Sequence, residues 1–189
     1  MLRNELKVSI RFTIITAIAL GIFYPLLVTA IGQLALRRQA DGQLIVKDGQ
    51  VLGSRLIGQN FTSDRYFHGR PSAAGNGYDA TSSGGSNLGP TNQKLLTRIA
   101  GDVSQYQATN NGQPVPIDLV TASGSGLDSD ISPAAALYQV ARVAQVRHLS
   151  QDSVRALVMA LVQGRQFGVL GDPRVNVLEL NLALDQLGH

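Results

Sequence analysis

The chain has 189 residues, of which 44% are hydrophobic and only 15% charged, well under the roughly one quarter charged that soluble domains carry. Its net charge of +3 comes from the flanks of one apolar stretch, where Arg3, Lys7, Arg11, Arg37 and Arg38 stand against Glu5; from Gln39 onward 11 basic side chains meet 12 acidic ones. That near-neutral balance lacks the basic stripe of a nucleic-acid footprint and excludes nucleic acid as a partner, while the absence of cysteine excludes a disulfide framework and a thiolate metal site.

Residues 12–36, FTIITAIALGIFYPLLVTAIGQLAL, are an uncharged run of 25. About 20 apolar residues already cross a bilayer core, so the run spans with some tilt. Val28-Thr29-Ala30 resembles a signal cleavage site, but an apolar signal core is about 7–15 residues, shorter than the run ahead of Ala30. The reading is an uncleaved anchor. Three basic residues and the amino terminus precede it and two basic residues follow closely, which favours a cytoplasmic N-terminus at 1–11, a transmembrane helix at 12–36 and an extracytoplasmic domain at 37–189. Within the span Ala17, Gly21 and Pro25 recur every four residues, a ridge of small side chains where a partner helix backbone can approach. Gly and Pro are also simply common in membrane helices. Pro25 removes a backbone donor and predicts a kink.

After the anchor, Asp48-Gly49 between two apolar runs predicts a hairpin, with strands at 43–46 and 51–58. Residues 62–92 then run without periodicity. Structureless loops of that length are uncommon in compact domains, and the aromatic content of this one (Tyr66, Phe67, Tyr78) argues against plain disorder. Leu95, Leu96, Ile99 and Val103 predict a helix capped by Thr91 or Asn92. PVPIDLVT reads as a short strand, and Ser132-Pro133 opens a further helix in the preferred N-cap and N1 order. Ser150 caps another, running through Val162 and stopped by Gly164; the stretch from Asp172 reads as a strand merging into a short terminal helix. The fold class is α+β, one transmembrane helix followed by a single mixed domain.

The chemistry is defined mostly by what is missing. Two glycine-serine patches, Ser83-Gly84-Gly85-Ser86-Asn87 and Ser123-Gly124-Ser125-Gly126, carry no Lys in P-loop position, so no nucleotide site follows from motif. A membrane-anchored serine hydrolase using Ser123 or Ser125 can be assembled on paper with His68, His148, Asp118 and Asp128, but no G-x-S-x-G or S-x-x-K is present. No metal is implied by motif: Asp128 and Asp130 are instead read as acids favouring the N-terminal end of the helix that opens at Pro133. Arg70, beside His68 in YFHGRPS, can hold a carboxylate of its own domain or of a partner.

The order of blocks is more specific than any of these motifs. A single N-terminal span followed by YFHGRPSA, SSGGSNLGPTN, DLVTASGSGLDSDISPAAALYQVARVA and GDPRVNVLELNLALD resembles the C subunit of the bacterial Kdp potassium-transporting ATPase, across essentially the whole chain. The resemblance implies a non-catalytic subunit of a pump in the bacterial inner membrane, with three kinds of partner: a channel-like potassium-binding subunit, a P-type subunit that hydrolyses ATP, and a small membrane subunit. ATP and potassium would be handled by the complex, and this chain would act in assembly and as a catalytic chaperone raising ATP affinity. The sequence itself lacks D-K-T-G-T and a potassium-filter motif. His68, Arg70, Asp128 and the two glycine-serine patches are then candidates for partner contacts, and a lone anchored binding module remains the other alternative.

Overall fold

The computed structural model describes residues 2–187 and divides into two compact units, one ending at Ile45 and one beginning at Val46. The first is a helix of 34 residues, Leu2–Ala35, built from α1 (Leu2–Ile18), a π-helical turn (Ala19–Phe23) and α2 (Tyr24–Ala35). It contains a window of mean hydropathy 2.3, enough to cross a membrane by length and composition. Helical structure begins ten residues before the apolar run, through Glu5, Lys7 and Arg11. The π turn sits where chemistry asks for it: Pro25 has no N–H to give the residue four back, and just ahead of it Tyr24 N–H bonds Ala19 O, five residues back. Ala17, Gly21 and Pro25 are exposed along this helix. A short helix α3 (Arg37–Ala40) follows.

Strands β1 (Leu44–Lys47) and β2 (Gln50–Ser54) form a two-stranded hairpin. Its turn residues Asp48 and Gly49 have φ of 52° and 76°, the pair of positive values a tight hairpin turn requires.

The core of the second unit is helical. Helix α5 (Pro133–Arg147) buries Ala136, Val140, Val143 and Ala144, spaced to form one continuous face. Against it lie Val154 and Val158 of α6 (Gln151–Ala160) and Leu180 and Leu184 of α7 (Val177–Leu187), each side chain contributing about 1.5–3 kcal/mol by burial. The helix starts are those the sequence marks. Asn92 caps α4 (Gln93–Thr109) at Lys94 N–H (2.9 Å), Ser132 caps α5 at Ala135 N–H (3.1 Å), and Ser150 caps α6 at Ser153 N–H (3.0 Å). Helix α5 ends on His148 in the left-handed region, and α6 ends at Ala160, two residues before the expected Val162. The sheet here is minimal: β3 (Asp130–Ile131) pairs antiparallel with β4 (Val175–Asn176), Asp130 opposite Asn176.

Two expectations fail. PVPIDLVT is not a strand but a 3-10 turn at Ile117–Leu119, because Pro114 and Pro116 have no N–H for a ladder and Thr121 Oγ folds back onto Ile117 O (2.8 Å). Nor do Asp128 and Asp130 serve the start of α5. That place belongs to Asp118, whose carboxylate accepts from Ser132 N–H (2.7 Å) and Ser132 Oγ–H (3.1 Å). Asp128 and Asp130 are drawn instead to Arg70 and Arg174.

Candidate functional site

The long irregular segment is held from below by the core helices. Phe67 and His68 belong to no helix or strand; two buried amides supply their backbone partners. Asn181 of α7 accepts from Phe67 N–H (2.8 Å) and donates to Phe67 O (3.0 Å), while Gln139 of α5 does the same for His68 N–H (2.8 Å) and O (3.1 Å). Both amides are 1% exposed, so each side-chain carboxamide supplies one donor and one acceptor where water cannot. Phe67, itself fully buried, is thereby inserted into the core.

Two arginines extend the clamp. Arg142 donates to Asp64 O (2.6 Å), Tyr66 O (3.0 Å) and Gln139 Oε1 (2.8 Å). Arg147 donates to Arg65 O (2.7 Å) and Asp185 (2.6 Å) and lies 4.8 Å over the Tyr66 ring.

Beyond Gly69 the segment turns to the second glycine-serine patch. Arg70 donates to Asp128 Oδ2 (2.9 Å) and to the carbonyls of Thr121 (3.2 Å) and Ala122 (3.4 Å), so its guanidinium is engaged within its own domain. Tyr78 O–H closes the turn on Arg70 O (2.6 Å), and burial, reinforced by the nearby Asp128 carboxylate, pushes that phenol up to about 12. Ser72 Oγ is a hub: it donates to Gly126 O (2.6 Å) and accepts from the N–H groups of Ala74 (3.2 Å) and Tyr78 (2.7 Å).

The two patches meet. Ser83 Oγ and Gly84 N–H both donate to Ser125 O at 2.9 Å, and Gly85 lies so close to Gly124 that an added Cβ would stand 3.2 Å from its carbonyl oxygen. Gly126 has φ of 67°, and a Cβ there would stand 2.7 Å from both Ala74 N and Gly84 O. Glycine is required on both counts. Ser123 and Ser125 accept from the N–H groups of Gly126 (2.9 Å) and Leu127 (3.1 Å), whereas Ser86 and Asn87 are exposed, Asn87 at a φ of 52°.

Beside this junction lies an open cleft of about 500 Å³, walled by Gln105 and Tyr106 of α4, by His68, Arg70 and Tyr78, and by Arg142. Its charged walls are engaged by the domain itself: Asp102 pairs with Arg98 (2.6 Å), Arg70 with Asp128, and Arg142 with Asp64 (3.7 Å). His68 Nε2 lies 3.1 Å from Ser63 O, and burial, with Arg142 next, holds the imidazole below its ordinary value. Among the described residues no hydrogen bond joins a histidine to Ser123 or Ser125, and no three His, Asp or Glu side chains converge as a metal site.

The sequence brought His68, Arg70, Asp128 and the two patches forward, and the fold places them in one neighbourhood. It did not bring forward Gln139, Asn181 or Arg142, and it offered Asp118 only as a hydrolase acid, not as the support of the Ser132 cap. Gln139 and Asn181 had a signal, a carboxamide set among apolar residues in ALYQVARV and LELNLALD.

The family model for the K+-transporting ATPase c chain, KdpC, matches residues 6–186, which takes in the anchor, the irregular segment and the clamp. The chain belongs to the KdpC family. Among its relatives, a protein of Methylococcus capsulatus named as the KdpC subunit of the potassium-transporting ATPase is 57% identical over 187 residues, covering 97% of this chain and 98% of the relative. Proteins of the same name from Acidobacterium capsulatum and Koribacter versatilis are 55% and 54% identical over 184 residues, with 97% of this chain and 99% and 95% of theirs covered. Coverage of that extent joins helix and domain as one family unit, as the order of sequence blocks implied.

Proposed function

We propose that this chain is a non-catalytic, accessory subunit of a potassium-transporting ATPase, anchored in the bacterial inner membrane by the 2–35 helix with its domain on the extracytoplasmic side. It assembles with a channel-like subunit, an ATP-hydrolysing subunit and a small membrane subunit, and ATP and potassium are handled by those partners. The observation that carries this reading, beside the family, is how the conspicuous polar residues are used. Arg70, Asp128, Ser72, Ser83, Ser123 and Ser125 spend their hydrogen bonds shaping a backbone junction, and among the described residues neither Ser123 nor Ser125 is hydrogen-bonded to a histidine.

Such a subunit acts on ATP turnover without touching nucleotide. Binding one conformation of the pump better than another shifts the population and therefore the apparent ATP affinity. Tagged chain purified in mild detergent from membranes that contain its partner subunits is expected to carry large multi-span subunits, and their potassium-stimulated ATPase is expected to need more ATP when the chain is removed. Recovery of the chain alone, or unaltered ATPase without it, would sink the reading. Ser123→Ala with Ser125→Ala is expected to leave the complex and its ATPase in place; loss of a hydrolytic activity in that variant would favour an anchored hydrolase.

A further inference from the structure

Between α6 and β4 the chain leaves its domain and returns as a hairpin that the sequence patterns did not predict. Gln163 and Arg174 exchange backbone hydrogen bonds of 2.8 and 3.0 Å, and Gln166 and Leu170 exchange two of 2.9 Å. Arg165 and Asp172 pair across the flanks at 2.9 Å. Every residue from 163 to 173 is exposed.

At the apex Phe167 is 92% exposed, with Val169 at 72% and Leu170 at 56%. Phe167 and Gly168 have φ of 52° and 76°. Asn or Gly makes such a turn without the steric cost a bulky side chain meets at positive φ, so the aromatic residue does not serve the turn. It serves no core either.

We propose that this hairpin is a docking element whose Phe167 ring seats in an apolar pocket on the surface of a membrane-embedded partner subunit of the transport ATPase. The proposal rests on the accessory-subunit reading and deepens it by naming the surface. Three features favour a protein pocket over the lipid surface. From Gln166 to Gly171 the apex carries no charge, and the one cation beside it, Arg165, is paired with Asp172, whereas surface anchors hold Lys or Arg free for anionic headgroups. The paired backbone and the ion pair shape the hairpin in advance, which lowers the ordering cost of a specific interface. A single presented aromatic side chain is also the usual anchor of a protein interface, where few residues carry most of the affinity.

The test uses the full chain in membranes with its partner subunits. With Phe167 replaced by the photoreactive benzoylphenylalanine, irradiation is expected to give an adduct with a larger subunit, and the same replacement at exposed Ala108 of α4 is expected to give none. Adducts only with lipid, only with a second copy of this chain, or none at all would overturn the proposal. In parallel, Phe167→Ala is expected to lower recovery of the partners in mild detergent about tenfold or more while the chain melts as before. Full recovery with the variant overturns the docking role alone. If even the wild-type chain recovers no partner, the accessory-subunit reading falls and the docking proposal with it.

Discussion

The segment 60–92 and the hairpin 163–174 are both glycine-bearing and lie outside the main helices, yet they are built on opposite plans. The first is bonded to everything around it: Phe67 and His68 to two buried amides, Ser72 to three backbone groups, the 83–85 patch to the 124–126 patch. Apart from Arg174 at its base, which pairs with Asp130, the hairpin is bonded to itself, and its apolar side chains face outward. Polar, glycine-rich sequence therefore marked the inward-facing structure, and apolar sequence the outward-facing one. What separates them is where backbone N–H and C=O groups go, since buried ones must be paired and exposed ones are satisfied by water.

The contrast can be broken by substitution. The largest effect is expected at Asn181→Leu, which keeps size but leaves the buried Phe67 N–H and C=O without partners, at about 1–3 kcal/mol for each group. A thermal or denaturant melt showing a loss under about 1 kcal/mol would mean that the segment relaxes to reach water, and the difference from the hairpin would shrink. Next comes Gly126→Ala, where a Cβ would crowd Ala74 and Gly84 at a positive φ, with an expected cost of about 2–3 kcal/mol. An unchanged melt there would show that the junction of the two patches is loose.

A smaller, pH-dependent effect is expected from His68. Its folded value is lowered by burial and by Arg142, so the folded state resists protonation. Stability is then full above the ordinary value of 6.5 and falls as pH drops below it, because the unfolded chain takes up the proton first. His68→Gln is expected to flatten that part of the stability profile. An unaltered slope would place the titrating group elsewhere. The smallest effect is expected at Phe167→Ser, within about 0.5 kcal/mol of the parent, because the residue is 92% exposed. A larger loss would mean that the hairpin is structural and would remove its contrast with the segment.

Much of the fold was legible in the sequence because the signals were local. Asp48-Gly49 made its hairpin, and Asn92, Ser132 and Ser150 capped their helices. The readings that failed depended on distant partners. Asp118 lies fourteen residues from the cap it supports, and Asp128 was taken from that role by Arg70, 58 residues away in sequence. The strand expected at 114–121 failed locally, on two prolines that could not donate. The site was half legible: glycine and serine showed that backbones come close, but not which backbones. Gln139 and Asn181 look like ordinary polar residues until the segment they hold is in place.

The clamp also orders events in time. Phe67 is joined to Asn181 across 114 residues and His68 to Gln139 across 71, so these are among the longest-range bonds in the chain. Contacts so far apart in sequence form late, after loop closure over most of the domain. On a ribosome working from the amino terminus, Phe67 and its neighbours emerge long before either carboxamide exists. A part of the second unit that is synthesised early thus waits for residues synthesised near its end, and a chain cut short before Asn181 leaves it without the far half of its clamp.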